Sequence, residues 1–216
     1  MLRDLKRRGM SAPVLAVGDG NLGFWAALRQ VYPETREQRC WKHKIANVLD
    51  KLPKRLLAKA KELLHEIMYA PDRESALQDI VFFSEEYSTR YPKAVQALVK
   101  DQERLLTFFE FPAEHWGHLR TTNPIQSPFA TVKARTWKTK GAGSPKAGLA
   151  MAFKLLLACE KRWRKLNAPH LVGLEKAGVQ FPNGQAKMFQ REPAPEDLFM
   201  PAPRIPATND VPIHSI

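Results

Sequence analysis

The stretch Arg120-Thr121-Thr122-Asn123-Pro124-Ile125-Gln126-Ser127 predicts the start of a helix around which the other motifs of the chain can be placed. Asparagine is favoured at a helix N-cap, and proline suits the first helical position because its missing N–H would have had no partner there. We therefore expect Asn123 to cap this helix and Pro124 to open it. Gln126 then falls at the third helical position, where its side chain can reach back to the N–H of the cap, as in a capping box.

Pro128 complicates this prediction. If the helix begins at Asn123, Pro128 removes the backbone hydrogen bond to residue 124, and its ring clashes with that carbonyl. Alternatively, the helix restarts with Ser127 as the cap and Pro128 at the first position, which leaves Gln126 outside the helix. The sequence therefore predicts a kink or a late helix start.

A strongly basic segment surrounds this helix. Residues 116–166 contain one acidic residue, Glu160, and eleven lysines and arginines, so the segment sums to +10, against +12 for the whole chain. The eleven are Arg120, Lys133, Arg135, Lys138, Lys140, Lys146, Lys154, Lys161, Arg162, Arg164 and Lys165. Clustered positive charge favours nucleic acid as the partner, and a solvated basic surface is the alternative.

The composition bounds the class of protein. A chain of 216 residues can bury one sizeable core, and an apolar share of 44% is typical of a globular protein. Apolar runs stay well short of the ~18 residues of a membrane span, and the basic start is not followed by an apolar run as in a secretory signal. Two cysteines, Cys40 and Cys159, do not indicate a disulfide framework, so we expect a cytoplasmic location.

The first third of the chain predicts a strand, a helix and a second strand. The apolar run 14–17 precedes Gly18-Asp19-Gly20, which is typical of a buried strand entering a tight loop. A helix is expected over about 22–31 and a second strand over 36–41, which makes a parallel, right-handed βαβ unit. Asp19 lies just beyond the first strand, where ligands and metals gather in open sheets, although a turn aspartate is the alternative.

Beyond residue 42 the pattern is helical, so the predicted fold class is mostly α with a small parallel β piece. Apolar residues recur at helical spacing, with Leu77, Ile80 and Val81 expected inward behind a cap at Asp72. A further helix is expected from Pro92 to Leu106. A last helix, capped by Ser144 and opened by Pro145, is expected to run to about Leu166. The proline-rich stretch 193–216 lacks periodicity and is expected to be a disordered tail.

Several side chains are candidates for chemistry or binding. Cys40 and His43 form a C-x-x-H pair, and His115 and His118 form an H-x-x-H pair. Together they could hold a zinc ion that organises a structural domain, whereas a hydrogen-bonded Cys/His corner is the alternative. The run 161–165 could contact phosphates from a helix, with Trp163 packed inward, and the alternative is a solvated helix end whose cations are placed favourably for the helix dipole. Trp116 and Trp137 are expected to be core anchors, with base stacking as the alternative.

Three motifs resemble one known family. They are GDGNLGFWAAL at 18–28, RCWKHKIANVLDKLPK at 39–54 and FPAEHWGHLRTTNPIQS at 111–127. Their order and spacing are similar to those of the mutator-type transposases of bacterial insertion sequences, and the resemblance runs from about residue 2 to about residue 185. It implies an RNase H-like core, Mg²⁺ or Mn²⁺ held by two aspartates and a glutamate, DNA as the substrate and possible homo-oligomers.

The resemblance also implies a role for particular segments. Asp19 matches the second aspartate and a metal ligand, and Cys40 and His43 match the family's C-x-x-H signature. Residues 1–53 would be a partial core, 54–114 a helical insertion, 115–192 the basic C-terminal part of the core, and 193–216 the tail. Independently of the resemblance, the clustered positive charge predicts the DNA-binding residues Arg120, Lys133, Arg135, Lys138, Lys140, Lys161, Arg162, Arg164 and Lys165.

Two departures from the family pattern bear on catalysis. The resemblance places the first aspartate on a strand upstream of residue 1, so a truncated transposase is expected. Gln126 stands where the family has its glutamate, and a neutral amide does not supply the charge that a two-metal site needs. The expectation is a transposase without cleavage activity, and the alternative is a non-catalytic DNA-binding relic or interfering module.

Overall fold

A computed structural model describes residues 1–187, so the predicted tail at 193–216 lies outside the described residues. The fold is mostly helical, with one small parallel sheet, as predicted. In chain order, the elements are α1 (Leu2–Arg7), β1 (Leu15–Gly18), α2 (Leu22–Val31), β2 (Arg36–Arg39), α3 (Trp41–Leu49), α4 (Leu57–Tyr69), α5 (Arg73–Tyr87), α6 (Pro92–Val99), α7 (Gln102–Leu105), α8 (Trp116–Leu119), α9 (Asn123–Lys138), α10 (Pro145–Glu160) and α11 (Leu171–Lys176).

The βαβ unit is confirmed, but the expectation of a buried first strand is wrong, because Leu15, Ala16 and Val17 are only half-buried and Val14 is exposed. β1 and β2 pair in parallel, from Leu15 opposite Arg36 to Gly18 opposite Arg39, and α2 makes the connection. The side chain of Asn21 caps α2 by accepting a hydrogen bond from the N–H of Phe24 at 3.2 Å. Trp25 packs against Gly18 so closely that a Cβ there would lie 2.7 Å from the indole ring.

The main core lies in the helical body formed by α3 to α8. It joins Trp41, Ile45 and Val48 of α3 to apolar residues of the helices that follow and to Trp116 of α8. Asp72 caps α5 as predicted, because its Oδ1 accepts a hydrogen bond from the N–H of Ser75 at 2.7 Å. Burial of these apolar side chains supplies the main stabilisation of such a body.

Three helix predictions are wrong in detail. The helix expected from Pro92 to Leu106 is divided into α6 and α7. Val81 was expected to face inward, but it is exposed, because α5 packs through Ala76, Ile80, Phe83 and Tyr87. The last long helix ends at Glu160, so the basic run 161–165 follows the helix and is not part of it.

The start of α9 also differs from the prediction. The first helical residue is Asn123 and the cap position is Thr122, so Asn123 is not the cap. A late start at Ser127 is wrong, because the helix begins at Asn123 and continues through Pro128. Gln126 therefore lies within the first helical turn.

Among residues 1–187, no helix is both long enough and apolar enough to cross a membrane.

Candidate functional site

Asp19 lies at the carboxyl end of β1, in the loop that leads into α2. Its side chain is exposed, and its Oδ1 accepts a hydrogen bond from the backbone N–H of Asn21 at 3.1 Å. This is the local bond of an Asx turn, which orders the loop before the helix begins. The carboxylate can still accept further bonds, since each oxygen has two lone pairs.

Gly20 allows the Asp19 loop to pass close to a buried arginine. Gly20 has φ +93°, and a Cβ there would lie 2.2 Å from the guanidinium carbon of Arg39. Arg39, at the end of β2, is almost fully buried, and its Nε and Nη1 have no hydrogen-bond partner among the described residues. The sequence did not reveal this contact, because a Gly-Asp-Gly loop gives no sign of which side chain lies beneath it.

A buried ion pair lies beside Arg39. Lys44 Nζ is 2.6 Å from Asp101 Oδ2 and also donates to the carbonyl of Ala97, while Arg39 Nε is 3.6 Å from the same carboxylate oxygen. Burial lowers the pKa of Lys44. Burial alone would raise the pKa of Asp101, but its hydrogen bond and attraction to Lys44, together with Arg39, hold that pKa below its ordinary value.

Cys40 and His43 form a hydrogen-bonded corner between β2 and α3. Cys40 Sγ lies 3.2 Å from His43 Nδ1 and accepts a hydrogen bond from the N–H of Thr122 at 3.3 Å. The N–H of Trp41 donates to the carbonyl of Arg120 at 2.9 Å. The corner therefore anchors the backbone just before α9 and brings together two motifs that lie about 80 residues apart in the sequence.

Gln126 is held by this corner. Its Nε2 lies 3.3 Å from His43 Nε2 and 3.2 Å from Thr122 Oγ1, and its Oε1 accepts a hydrogen bond from Lys42 Nζ at 3.4 Å. Since an amide nitrogen can only donate, His43 Nε2 is the acceptor and the imidazole proton is on Nδ1, facing Cys40. The predicted capping-box bond to a backbone N–H is not formed, because the amide is engaged by these side chains.

The described residues do not fit the two-metal site that the resemblance implies. Within residues 1–187, no group of three or more His, Cys, Asp and Glu side chains could hold a metal ion. Gln126 offers a neutral oxygen that already faces the ammonium group of Lys42. A divalent metal pair needs anionic oxygen ligands, and the amide of Gln126 supplies none.

The histidine pair His115 and His118 is engaged elsewhere. His115 is buried, and its Nδ1 lies 2.7 Å from Glu175 Oε1. His118 Nε2 accepts a hydrogen bond from the N–H of Asn167 at 3.4 Å. Because no metal-binding group of three occurs in the described part of the chain, the four-residue zinc site is not assembled there.

Helices α9 and α10 form a basic hairpin, defined here as residues 123–165. Ser144 caps α10 as predicted, by accepting a hydrogen bond from the N–H of Ala147 at 3.2 Å. Within residues 1–187, none of the hairpin's ten lysines and arginines has a carboxylate within 4.0 Å. Positive charge without internal partners is available to an external anion.

Two tryptophans of the hairpin are exposed. The predicted inward packing is wrong for Trp137, which is 84% exposed, and for Trp163, which is 58% exposed. Trp116 is buried as predicted, and its indole N–H donates to the carbonyl of Phe111 at 2.8 Å. Hydrophobic periodicity did not distinguish the two exposed tryptophans from the buried Trp116, because the hairpin buries few of its side chains against the helical body.

Comparison with known proteins supports one family. The model of a family described as "Transposase, Mutator family" matches residues 1–163. The transposase for insertion sequence element IS6120 of Mycolicibacterium smegmatis is 56% identical over 201 residues, which are 93% of this chain and 61% of that relative. The transposase for IST2 of Acidithiobacillus ferrooxidans is 51% identical over 185 residues, covering 85% of this chain and 62% of that relative.

The chain thus spans about three fifths of the length of these two relatives. A more distant relative, the transposase for IS1081 of Mycobacterium tuberculosis, is 31% identical over 134 residues. The family model covers most of the chain, and the first two relatives share more than half of their aligned residues with it. The chain therefore belongs to the Mutator family of transposases.

Proposed function

We propose that this chain is part of an insertion-sequence transposase and that it binds DNA through the basic hairpin without cleaving it. Family membership and the relatives named as transposases support the class of function. The observation that carries DNA binding is that the ten lysines and arginines of the hairpin have no carboxylate partner among residues 1–187. Lys133, Arg135, Lys138 and Lys140 would contact phosphates, as would the run 161–165.

The proposed lack of cleavage follows from Gln126. In a transposase of the class that the resemblance implies, metal ions bound by carboxylates would stabilise the attacking and leaving oxygens at the phosphodiester. Here the amide at that position donates to His43 and faces Lys42, so it brings no negative charge. Asp19, proposed as the second aspartate, would then lack its acidic partner.

The parallel β1–α2–β2 unit is consistent with part of an RNase H-like core, and we propose that α4 to α7 are the helical insertion of the family. In this arrangement the Cys40–His43 corner joins the end of the sheet to the start of α9. Its role would be to place residue 126 near the carboxyl end of β2.

Salt dependence tests the proposed binding. Fluorescence anisotropy with a labelled duplex should show affinity that falls steeply with salt, with a log–log slope of about −0.9 for each phosphate neutralised. A slope near zero, or no binding at low salt, would exclude the hairpin as a phosphate-binding surface. In a nicking assay with Mg²⁺ or Mn²⁺ the chain should leave the duplex intact, and nicking that disappears in Asp19→Ala would refute the proposed inactivity.

A second role follows from the same hairpin. A chain that binds DNA without cutting it would occupy sites that a cleavage-competent relative needs. Adding this chain before an active family member should lower strand cleavage in proportion to the DNA it covers. The effect should disappear when competitor DNA is in excess, whereas inhibition that persists would indicate a direct contact between the two proteins.

A further inference from the structure

A pocket of about 410 Å³ lies where α3, α4 and the segment before α9 meet. Its volume falls within the range of small-ligand sites, ~300–1,000 Å³. Three cationic side chains line it, Lys42 from α3, Lys61 from α4 and Arg120 from the turn before α9, together with His65 and Tyr69. Of the described residues that line the pocket, none is acidic.

The three cations lack counter-ions within the described residues. Neither Lys42, Lys61 nor Arg120 has a carboxylate within 4.0 Å in residues 1–187. Among the described residues, Lys42 donates only to the neutral side chains of Asn123 and Gln126, at 3.3 and 3.4 Å. Positive charge gathered in a concave site and not neutralised internally creates a field that attracts an anion.

Arg120 is fixed in position by aromatic rings. Its guanidinium carbon lies 5.0 Å from the ring centre of Tyr69, 4.7 Å from that of Phe108 and 5.4 Å from that of Trp116. Burial lowers the pKa of Arg120, and its Nε has no hydrogen-bond partner among the described residues. Arg120 also lines the pocket, and the terminal N–H groups of an arginine can donate to two oxygens of a phosphate.

We propose that this pocket, formed by Lys42, Lys61 and Arg120, binds a phosphate group of the DNA backbone. That the bound phosphate belongs to DNA rests on the proposed function. That the pocket binds a phosphate at all rests on the charges of its lining residues alone. Because Lys42 also contacts Gln126, a bound phosphate would lie beside the position that the resemblance assigns to the catalytic glutamate. The pocket would thus hold the backbone near the corner while the hairpin contacts the flanking DNA.

The test compares two lysines of one helix. Lys61→Ala removes a pocket cation, and Lys59→Ala removes an exposed cation two residues away that pairs with Glu86 at 2.6 Å. Both variants lower the net charge by one, so general attraction for anions falls equally. Isothermal titration with inorganic pyrophosphate and with a thymidine trinucleotide should show binding about tenfold weaker in Lys61→Ala, as for the loss of one charge-assisted contact, and little changed in Lys59→Ala.

Equal binding by the two variants would overturn the proposal. Binding of pyrophosphate but not of the trinucleotide would overturn the assignment to the DNA backbone. The hairpin variant Lys138→Ala/Lys140→Ala should retain trinucleotide binding in the pocket while its duplex affinity falls. If the unaltered chain bound no duplex, the proposed function would fail, yet a difference between Lys61→Ala and Lys59→Ala would still support the phosphate site.

Discussion

At position 126 the amide sets the proton position of a neighbouring histidine. Gln126 Nε2 donates to His43 Nε2, so the imidazole proton is on Nδ1. In Gln126→Glu the carboxylate can only accept, so we expect the proton to move to Nε2 and Lys42 to pair with the new charge. ¹⁵N spectra of the imidazole should report the change of tautomer. An unchanged spectrum would contradict the hydrogen-bond assignment, and Gln126→Ala serves as the control because it offers neither donor nor acceptor.

Gly20 and Gly9 make a matched pair for testing the contact under the Asp19 loop. Both have positive φ, +93° and +92°, but a Cβ at Gly20 would collide with Arg39, whereas a Cβ at Gly9 meets nothing within 4 Å. Gly9→Ala should lower the free energy of unfolding by about 1 kcal/mol through backbone strain alone. Gly20→Ala should cost about 1–3 kcal/mol more because of overpacking. Urea denaturation of both variants measures the difference, and equal losses would mean that Arg39 moves aside freely.

Trp137 is a built-in reporter for DNA binding. Trp25, Trp41 and Trp116 are buried, so the exposed Trp137 and Trp163 should dominate acrylamide quenching. A base near the hairpin should quench Trp137, since indole rings stack on bases. Because the proposed contact includes both α9 and the run 161–165, Trp137→Phe and Trp163→Phe should each lose part of the DNA-induced fluorescence change. A change lost entirely in one variant would confine the contact to that part of the hairpin, and fluorescence of the unaltered chain that does not respond to DNA would contradict contact at either tryptophan.

Between elements, the Lys44–Asp101 pair joins α3 to the turn between α6 and α7. Asp101 has a pKa below its ordinary value of 3.8, so its contribution to stability is present above that value and is lost as pH falls through the lowered pKa. Asp101→Asn leaves Lys44 and Arg39 buried beside a neutral group and should lower the free energy of unfolding at pH 7 by about 3 kcal/mol. Denaturation from pH 7 to pH 2 should show a weaker acid dependence in this variant.

Asp79→Asn is the control for that measurement, because Asp79 has no ion pair within residues 1–187. This variant makes the same change from carboxylate to amide on α5, a helix of the same helical body. A similar loss in both variants would show that the effect is not specific to the buried pair.

At the level of elements, the sequence correctly predicted the helix starts that depend on a capping residue and its immediate neighbours. Asp72 and Ser144 cap their helices as expected, because a cap depends on a few adjacent residues. The cap of α9 was misplaced by one residue, since Asn123 Oδ1 accepts a hydrogen bond from Lys42, about 80 residues away in the sequence. A distant partner of this kind leaves no trace in the local pattern.

For the whole molecule, sequence motifs revealed the parts of the candidate site, but not how they fit together. Cys40 and His43 were selected as a C-x-x-H pair, and Gln126 by its place in the predicted helix and by resemblance, and the structure adds their mutual hydrogen bonds. The Arg39 contact and the cationic pocket depend on which helices pack together, so no single stretch encodes them. The exposure of Trp137 was missed for the same reason, because apolar spacing does not tell whether a helix has a neighbour.

The charge of the whole chain lies mostly in the hairpin, and this distribution can be measured. Replacing Lys138 and Lys140 with Gln removes two charges from the hairpin, and replacing Lys93 and Lys100 with Gln removes two from α6 and its end, away from the basic segment. If the hairpin contacts phosphates, the first double variant should reduce the salt slope of duplex binding by about 2, and the second should leave it nearly unchanged. The two proteins carry the same net charge, so a different slope reports position and not total charge. Equal slopes would show that duplex binding depends on the net charge alone, and they would contradict the hairpin as the DNA interface.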